Sequence, residues 1–242
     1  MEKKDFGQHF LLDEKVIKKE ISLAEISKED KIIEIGAGKG ILTKEIFKKT
    51  KNLTSFEIDS SLEKEIEDKV REKIIFGDAT KFSWRGNNKI VANIPYYLSE
   101  RIIRKAIKEE IEFLVLIVGE KLKKTLEENE SDFSYLANLF FNFSAIEKIK
   151  PESFFPKPRV NSWIVTLKRK KEEGIEENLR RIFLRNGKIK NAIIFELIKS
   201  GKTKRESKKI VEDSKISNEE IEKSTKTINK EIIEKIKKLL VK

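Results

Sequence analysis

The chain has 242 residues, 39% of them charged, with a formal net charge of +11, no cysteine and one histidine. The cysteine count excludes disulfides, thiolate metal sites and thiol nucleophiles, and a lone His9 argues against a Ser-His-Asp triad or a multi-histidine metal site. No apolar run approaches the ~20 residues that span a bilayer and Met1–Asp5 has no apolar leader segment, so a cytoplasmic protein is expected, long enough for a full core and a smaller second domain.

Lys31-Ile32-Ile33-Glu34-Ile35 reads as a short strand ending in glycines, and Gly40 to Lys49 carries helical spacing. Leu53 to Ile58 reads as the next strand, Ser60 precedes a charged helix over 61–70, and Lys73 to Phe76 forms a third strand. Lys89 to Ala92 is a fourth, followed by a helix that Ser99 is expected to cap and that runs to about Lys108. Phe113 to Val118 is unbroken apolar sequence, as expected of a central buried strand. Strands alternating with helices predict an α/β fold with a doubly wound, mostly parallel sheet. Residues 133–143 read as an apolar helix packed on that sheet, and the runs 145–149 and 160–167 as a closing antiparallel pair joined through a rigid loop, Pro151 to Pro158.

After Lys168-Arg169-Lys170-Lys171 only helical patterns follow, roughly 175–185, 188–199, 203–213 and 217–240 with breaks. A boundary is therefore expected near 170, with a sheet domain over 1–170 and a small, basic, all-helical domain over 171–242. Charge supports the division. Residues 1–167 hold 30 Lys/Arg against 29 Asp/Glu, whereas 168–242 hold 23 against 13. An excess of one sign in one block suggests a polyanion partner such as nucleic acid; a solubilising lysine-rich surface is the plainer reading of the same residues.

Two segments carry chemistry. In Glu34-Ile35-Gly36-Ala37-Gly38-Lys39-Gly40 the glycines let the backbone turn sharply beside a ligand, at the N-terminus of a helix. Glu57 follows about twenty residues on, at the end of the next strand, where nucleotide-binding folds place a ribose-binding carboxylate, and Asp78 ends the strand after that. The spacing is G-x-G-x-G and no Gly-Lys-Ser/Thr is present, which counts against a dinucleotide or ATP. The second segment is Asn93-Ile94-Pro95-Tyr96. An Asn amide oxygen can accept from an exocyclic amine, Pro95 biases Ile94 toward an extended conformation that aims its carbonyl outward, and Tyr96 offers a ring for stacking. Read alone, the tetrapeptide serves equally well as a Pro turn with a surface tyrosine.

The glycine-rich first turn resembles that of class I S-adenosylmethionine-dependent methyltransferases. Six segments in order then resemble the KsgA family of rRNA adenine dimethyltransferases: Gly7-Gln8-His9-Phe10-Leu11, Glu34 to Thr43, Glu57-Ile58-Asp59, Gly77-Asp78-Ala79, Asn93 to Ser99, and Phe154-Phe155-Pro156-Lys157-Pro158-Arg159-Val160-Asn161-Ser162. The Erm enzymes share much of the set; Gly7, Gly77-Asp78-Ala79 and the basic helix Arg185 to Ala192 look more like KsgA relatives, archaeal ones in particular.

The resemblance implies a seven-stranded sheet of the class I methyltransferase type. Its cofactor pocket would comprise Gln8, His9, Leu11, Gly36, Gly38, Glu57, Asp78, Ala79 and Asn93. Asn93 and the Ile94 carbonyl would hold the target amine in the turn fixed by Pro95, and Tyr96 and Phe154 would sandwich the adenine ring. Lys157 and Arg159, with Arg185, Lys188 and Lys190, would hold rRNA phosphates.

The implied reaction is dimethylation of the 6-amino group of adenosines in small-subunit rRNA, in subunit biogenesis, by a monomer without metal. That nitrogen is a poor nucleophile because its lone pair is delocalised into the ring. Two acceptors on its hydrogens favour a pyramidal nitrogen, and in-line placement at about 3–3.5 Å supplies much of the rate. No strong base is required, since the alkylated amine loses its proton to water. The target must be flipped out or lie in a loop.

One segment departs from the family. Gln-x-Glu and a following Arg are usual after the central strand, whereas this chain has Gly119-Glu120-Lys121-Leu122 and no Arg. Two other readings stay open on the sequence alone: an Erm-like methyltransferase of large-subunit rRNA, and a non-enzymatic RNA-binding assembly factor on the same fold.

Overall fold

The computed structural model describes residues 8–171 and 174–241, apart from the side chain of Lys226. Gly7 of the N-terminal motif and the Met1–Asp5 segment lie outside the described residues. The described residues form two compact units, one of residues 8–129 with 141–169, the other of 130–140 with 170–171 and 174–241.

The first unit holds a short strand β1 (Phe10–Leu11), helix α1 (Glu14–Leu23), β2 (Ile32–Ile35), α2 (Ile41–Lys49), β3 (Leu53–Glu57), α3 (Asp68–Arg71), β4 (Ile74–Phe76), β5 (Lys89–Asn93), α4 (Ser99–Lys108), β6 (Phe113–Gly119) and α5 (Glu120–Glu128). After α6 (Asp132–Phe140), which belongs to the other unit, come β7 (Phe141–Ile149), β8 (Phe154–Phe155) and β9 (Ser162–Arg169). Seven strands make one sheet in the order β4-β3-β2-β5-β6-β9-β7. The pairs among β2 to β6 are parallel and β9 runs antiparallel to both β6 and β7. This is the doubly wound α/β sheet that the alternation predicts. β1 and β8 form a separate antiparallel pair, Phe10 opposite Phe155 and Leu11 opposite Phe154.

The hydrophobic pattern explains the layering. Every residue of β2 is buried, and Leu114 to Val118 of β6 are fully buried, because helices cover both faces of a parallel sheet. α1 begins where the Asp13 side chain accepts from the Lys15 N–H at 2.9 Å, and it buries Val16, Ile17 and Ile21 against Val91, Val115 and Ile117 of the sheet. The parallel strands all deliver their C-terminal ends, and the loops that follow, to the same edge. Substrate-binding crevices of such sheets form there.

Four local expectations differ from the structure. The apolar stretch 133–143 is helical only to Phe140, and Phe141 to Phe143 already belong to β7. α6 turns Tyr135 and Leu139 into the helical unit's core, so the compact units divide differently from a single cut near 170. Residues 61–70 form a 3-10 turn over Ser60–Glu65, capped by Asp59, and then the single-turn α3. Ser99 does not cap α4: it is the first helical residue, fully buried, and the N-cap position is Leu98.

The second unit contains α6, α7 (Ile175–Leu184), α8 (Ile189–Lys199), α9 (Lys204–Glu212), α10 (Asn218–Glu222) and α11 (Lys230–Leu240) around a core that includes Leu179, Ile193, Ile232 and Ile236. α9 and α10 each open with a full capping box, at Thr203/Glu206 and Ser217/Glu220. Arg185 to Lys188 make the turn between α7 and α8, so the basic stretch that reads as one helix is a turn followed by a helix. Among the described residues no helix is long and apolar enough to cross a membrane.

Candidate active site

One cavity opens at the C-terminal ends of β2, β3, β4 and β5. It is lined by Gln8, His9, Leu11, Gly36, Gly38, Glu57, Asp78, Ala79, Asn93, Ile94, Pro95 and Tyr96. Residues from five separate sequence segments therefore converge on one concave surface, all within the sheet unit.

Its floor is built from backbone. Gly36 has φ +82°, and a Cβ there would sit 2.9 Å from the carbonyl oxygen of Asn93. Only glycine lets β2 come this close to the end of β5. Gly38, at φ +56°, places its Cα side against the Phe10 ring, 3.2 Å from a built Cβ. Its N–H donates to Glu57 Oε2 at 2.7 Å, while Glu57 Oε1 accepts from the Asp59 N–H at 2.9 Å and from Gln8 Nε2 at 3.3 Å. Glu57 is only 3% exposed, so these donors are what make a carboxylate tolerable there. A carboxylate has about four acceptor sites, so one remains for a ligand hydroxyl.

Asp78 caps the turn after β4, its Oδ1 accepting from the Thr80 N–H at 2.9 Å and the Thr80 hydroxyl at 2.6 Å, with Arg101 3.7 Å from Oδ2. Burial disfavours its charge, but the Thr80 hydrogen bonds and the cations of Arg101 and Lys81 outweigh it and hold the carboxyl below the usual aspartate range.

Across the cavity, Asn93 Nδ2 donates to the His9 carbonyl at 3.3 Å. That bond fixes which end of the amide is the donor and leaves Oδ1 as the acceptor. His9 Nδ1 lies 2.7 Å from the Pro156 carbonyl, an acceptor, so Nδ1 carries the proton. With the β1–β8 pairing, this bond ties the N-terminal segment, which lines the cavity, to the Phe154–Pro158 loop. The Tyr96 ring is half-buried, 6.3 Å from the His9 ring, and its hydroxyl meets Ser162 Oγ at 2.6 Å. Burial raises its pKa, and the Ser162 bond offsets part of that.

Phe154 differs from expectation. It is 3% exposed, packs in the core with Leu11 and Ile149, and does not line the cavity. The alternation of β8 turns the next ring, Phe155, outward at 67% exposure. Phe154 thus anchors β8 in the core. Lys157 and Arg159 are exposed on the same loop, Lys157 3.7 Å from Glu152. The other basic residues lie in the helical unit: Arg185 stacks 3.5 Å from the Phe195 ring centre, Lys188 pairs with Glu222 at 2.6 Å, and Lys190 is half-buried in α8.

Two features have little signal in the sequence. Glu20 reads as an ordinary helix charge, yet it lines the cavity fully buried, and neither of its oxygens has a hydrogen-bond partner among the described residues. Burial, and then the charge of Glu34, pushes its pKa up to about 8. Glu34, also fully buried, accepts from the Ser55 hydroxyl at 2.6 Å; burial outweighs that bond and, with Glu57 nearby, raises its pKa to about 7. The second feature is the contact of Tyr96 with Gly119 and Ser162, which no local pattern announces.

Comparisons with known proteins identify the family. The family model described as ribosomal RNA adenine dimethylase matches residues 1–234. A protein of Clostridium botulinum named ribosomal RNA small subunit methyltransferase A is 33% identical over 197 residues, which cover 74% of this chain and 72% of that one. A probable ribosomal RNA small subunit methyltransferase A of Methanococcus aeolicus is 37% identical over 180 residues, covering 70% and 66%. Among solved structures, a dimethyladenosine transferase from Plasmodium falciparum aligns with TM-score 0.64 at 23% identity, covering 94% of this chain and 96% of its own. The 23S rRNA methyltransferase ErmE gives 0.64 at 20%, covering 96% and 100%. At those identities the two structures establish the fold, while the family model and the sequence relatives establish descent: the chain belongs to the ribosomal RNA adenine dimethylase family.

Proposed function

We propose that this protein dimethylates the 6-amino group of adenosines in small-subunit ribosomal RNA with S-adenosylmethionine as donor, acting on an immature subunit. The observation that carries the reading is the convergence of Gly36, Gly38, Glu57, Asp78 and Asn93–Tyr96 on one cavity. The residues present fit the donor. Backbone bare of Cβ at Gly36 and Gly38 and a buried, pre-anchored Glu57 carboxylate form a cradle suited to a nucleoside with an amino-acid tail. Gln8, His9, Leu11, Gly36, Gly38, Glu57, Asp78 and Ala79 would hold it, with Asn93 shared between donor and target. When bound, it supplies an electrophilic methyl group.

The chain's own residues handle the nucleophile. Asn93 Oδ1, oriented by the His9 carbonyl, and the Ile94 carbonyl accept the two amine hydrogens and favour a pyramidal nitrogen. Pro95 fixes the turn that follows them, and Tyr96 forms the wall against which the base lies. The proton leaves to water, so the cavity's lack of an unpaired histidine or a thiol is no obstacle. Basic residues Lys157, Arg159, Arg185, Lys188 and Lys190 contact phosphates, giving affinity without reading sequence.

The test is to incubate immature small subunits with labelled S-adenosylmethionine and analyse the nucleosides. Dimethyladenosine is expected with the wild type, and a rate at least about 100-fold lower with Asn93→Ala, the scale of removing one positioned hydrogen-bonding group from a reacting centre. Label on large subunits instead, or no label despite cofactor binding, contradicts the reading.

A further inference from the structure

α4 has two faces. Ile102, Ile103, Ala106 and Ile107 are buried, while Arg101, Arg104 and Lys108 recur on the other side at helical spacing. With Thr80 and Tyr97 these cations line a second concavity. Thr80 and Tyr97 also line the first cavity, so the two adjoin. The neighbouring tyrosines divide there: the Tyr96 hydroxyl is held by Ser162, whereas Tyr97 is 68% exposed. Lys105 shares the concavity but is held 2.7 Å from Glu109 and 4.7 Å from the centre of the Trp84 ring. Arg101 is 3.7 Å from Asp78 and Arg104 2.9 Å from Glu100; exposed pairs of this kind hold weakly. Charge counts along the chain do not reveal the patch, because residues 1–167 hold nearly equal numbers of cations and carboxylates.

We propose that Tyr97 and the outer face of α4 form a platform for single-stranded RNA beside the base cavity. Arg101, Arg104 and Lys108 contact phosphates of the nucleotides next to the target, and the Tyr97 ring stacks on one of their bases. The proposal rests on the reading above that RNA is the substrate. A target base reaches the cavity flipped out or from a loop, so the strand on either side of it must lie along the rim. Tyr97 and α4 are part of that rim. An aromatic ring beside a track of cations holds a single strand whatever its sequence, and the arginine fork matches phosphate oxygens. Cations on a helix face can also serve solubility alone. Here they line a concavity that adjoins the base cavity, and an exposed tyrosine ring adds nothing to solubility. The platform lies wholly within the sheet unit, so it adds to the phosphate contacts of the helical unit.

Binding of a fluorescein-labelled single-stranded RNA of roughly ten nucleotides, followed by anisotropy across a range of salt and without S-adenosylmethionine, tests this. The Arg104→Ala/Lys108→Ala double variant is expected to bind about tenfold or more weakly at low salt. Its slope of log affinity against log salt should fall by about 1.4, two contacts at ~0.7 each on a single strand. Its S-adenosylmethionine affinity should stay within about twofold of wild type, which also shows that it is folded, since neither side chain lines the donor cavity. Tyr97→Ala is expected to weaken RNA binding about tenfold with the slope unchanged, and Tyr97→Phe to bind as the wild type does, because the stacking face is kept. Wild-type affinity and slope in the double variant overturn the phosphate track, and wild-type affinity in Tyr97→Ala overturns the stacking. Neither result depends on methyl transfer. If these shifts are seen but small subunits gain no dimethyladenosine, the dimethylation reading falls and the platform stands. If dimethyladenosine forms and the variants bind RNA as the wild type does, the platform falls alone.

Discussion

The two ends of the cavity are made in different ways. The glycine-loop end is a backbone construction: Gly36 and Gly38 in left-handed conformations, an amide bonded to Glu57, and a turn capped by Asp78. Its groups have their partners before any ligand arrives. The Asn93–Tyr96 end is a packing construction. The Asn93 amide is oriented by the His9 carbonyl, 84 residues away in sequence, and the Tyr96 ring is seated on Gly119 and Ser162 from two other strands. The first end suits a ligand that is the same in every turnover. The second suits a base that must enter and leave, because side chains adjust where a fixed backbone does not.

Substitutions can break this comparison, and the largest effect is expected at Gly36. Gly36→Ala places a methyl group 2.9 Å from the Asn93 carbonyl oxygen in a left-handed conformation. The conformation alone costs about 1–2 kcal/mol, and the clash moves β2 against β5. Loss of cofactor binding together with a fall in melting temperature of more than about 4 °C is expected, read by calorimetry and thermal unfolding.

A smaller, more selective effect is expected of Glu57→Ala, which strands the N–H groups of Gly38 and Asp59. The buried Gly38 N–H left without a partner costs about 1–3 kcal/mol, so both stability and cofactor affinity should fall.

Glu20→Gln sharpens the comparison from a third side. A carboxyl whose folded pKa is raised binds its proton more tightly when folded. The folded state is therefore favoured below the unfolded pKa, and that advantage is lost as pH rises toward the folded value, about 8 for Glu20 and about 7 for Glu34. The wild type should lose stability between pH 5 and 8. Glu20→Gln should flatten that loss and be the more stable protein at pH 8, by at least about 1 kcal/mol or ~2–4 °C. Parallel profiles for the two proteins would show that Glu20 is not the titrating group.

The smallest effect is expected of Arg185→Ala. It should weaken RNA binding and lower the slope of log affinity against log salt by about one contact's worth, without altering the product.

Legibility in the sequence followed the same division. The glycine turn, Glu57 and Asp78 stand at the ends of strands that the strand–helix alternation marks, so pattern and spacing point to them directly. Burial on both faces likewise marks β6 as central. The two-residue strands β1 and β8 join positions about 145 residues apart, and nothing in Phe10-Leu11 or Phe154-Phe155 announces the pairing. That pairing buries Phe154, which motif position alone puts against the base. Gly119 looks like a loss from a motif until the Tyr96 ring is seen to fill its place. Glu20 carries helical spacing and a charge, and only the packing of α1 reveals that it is sealed inside. Helix 133–143 fails for a related reason: an apolar run suits a buried helix or a buried strand, and Phe140–Phe141 is where one becomes the other.

We propose that the one cavity has two separable ends, one for the methyl donor and one for the base. Calorimetric titration with S-adenosylmethionine, paired with methylation of small subunits, tests it most directly in Glu57→Ala and Tyr96→Ala. Glu57→Ala is expected to weaken cofactor binding at least about tenfold, ~1.4 kcal/mol, whereas Tyr96→Ala should bind the cofactor within about twofold of wild type and yet transfer methyl groups at least about 100-fold more slowly. Equal loss of cofactor affinity in both variants would contradict the division.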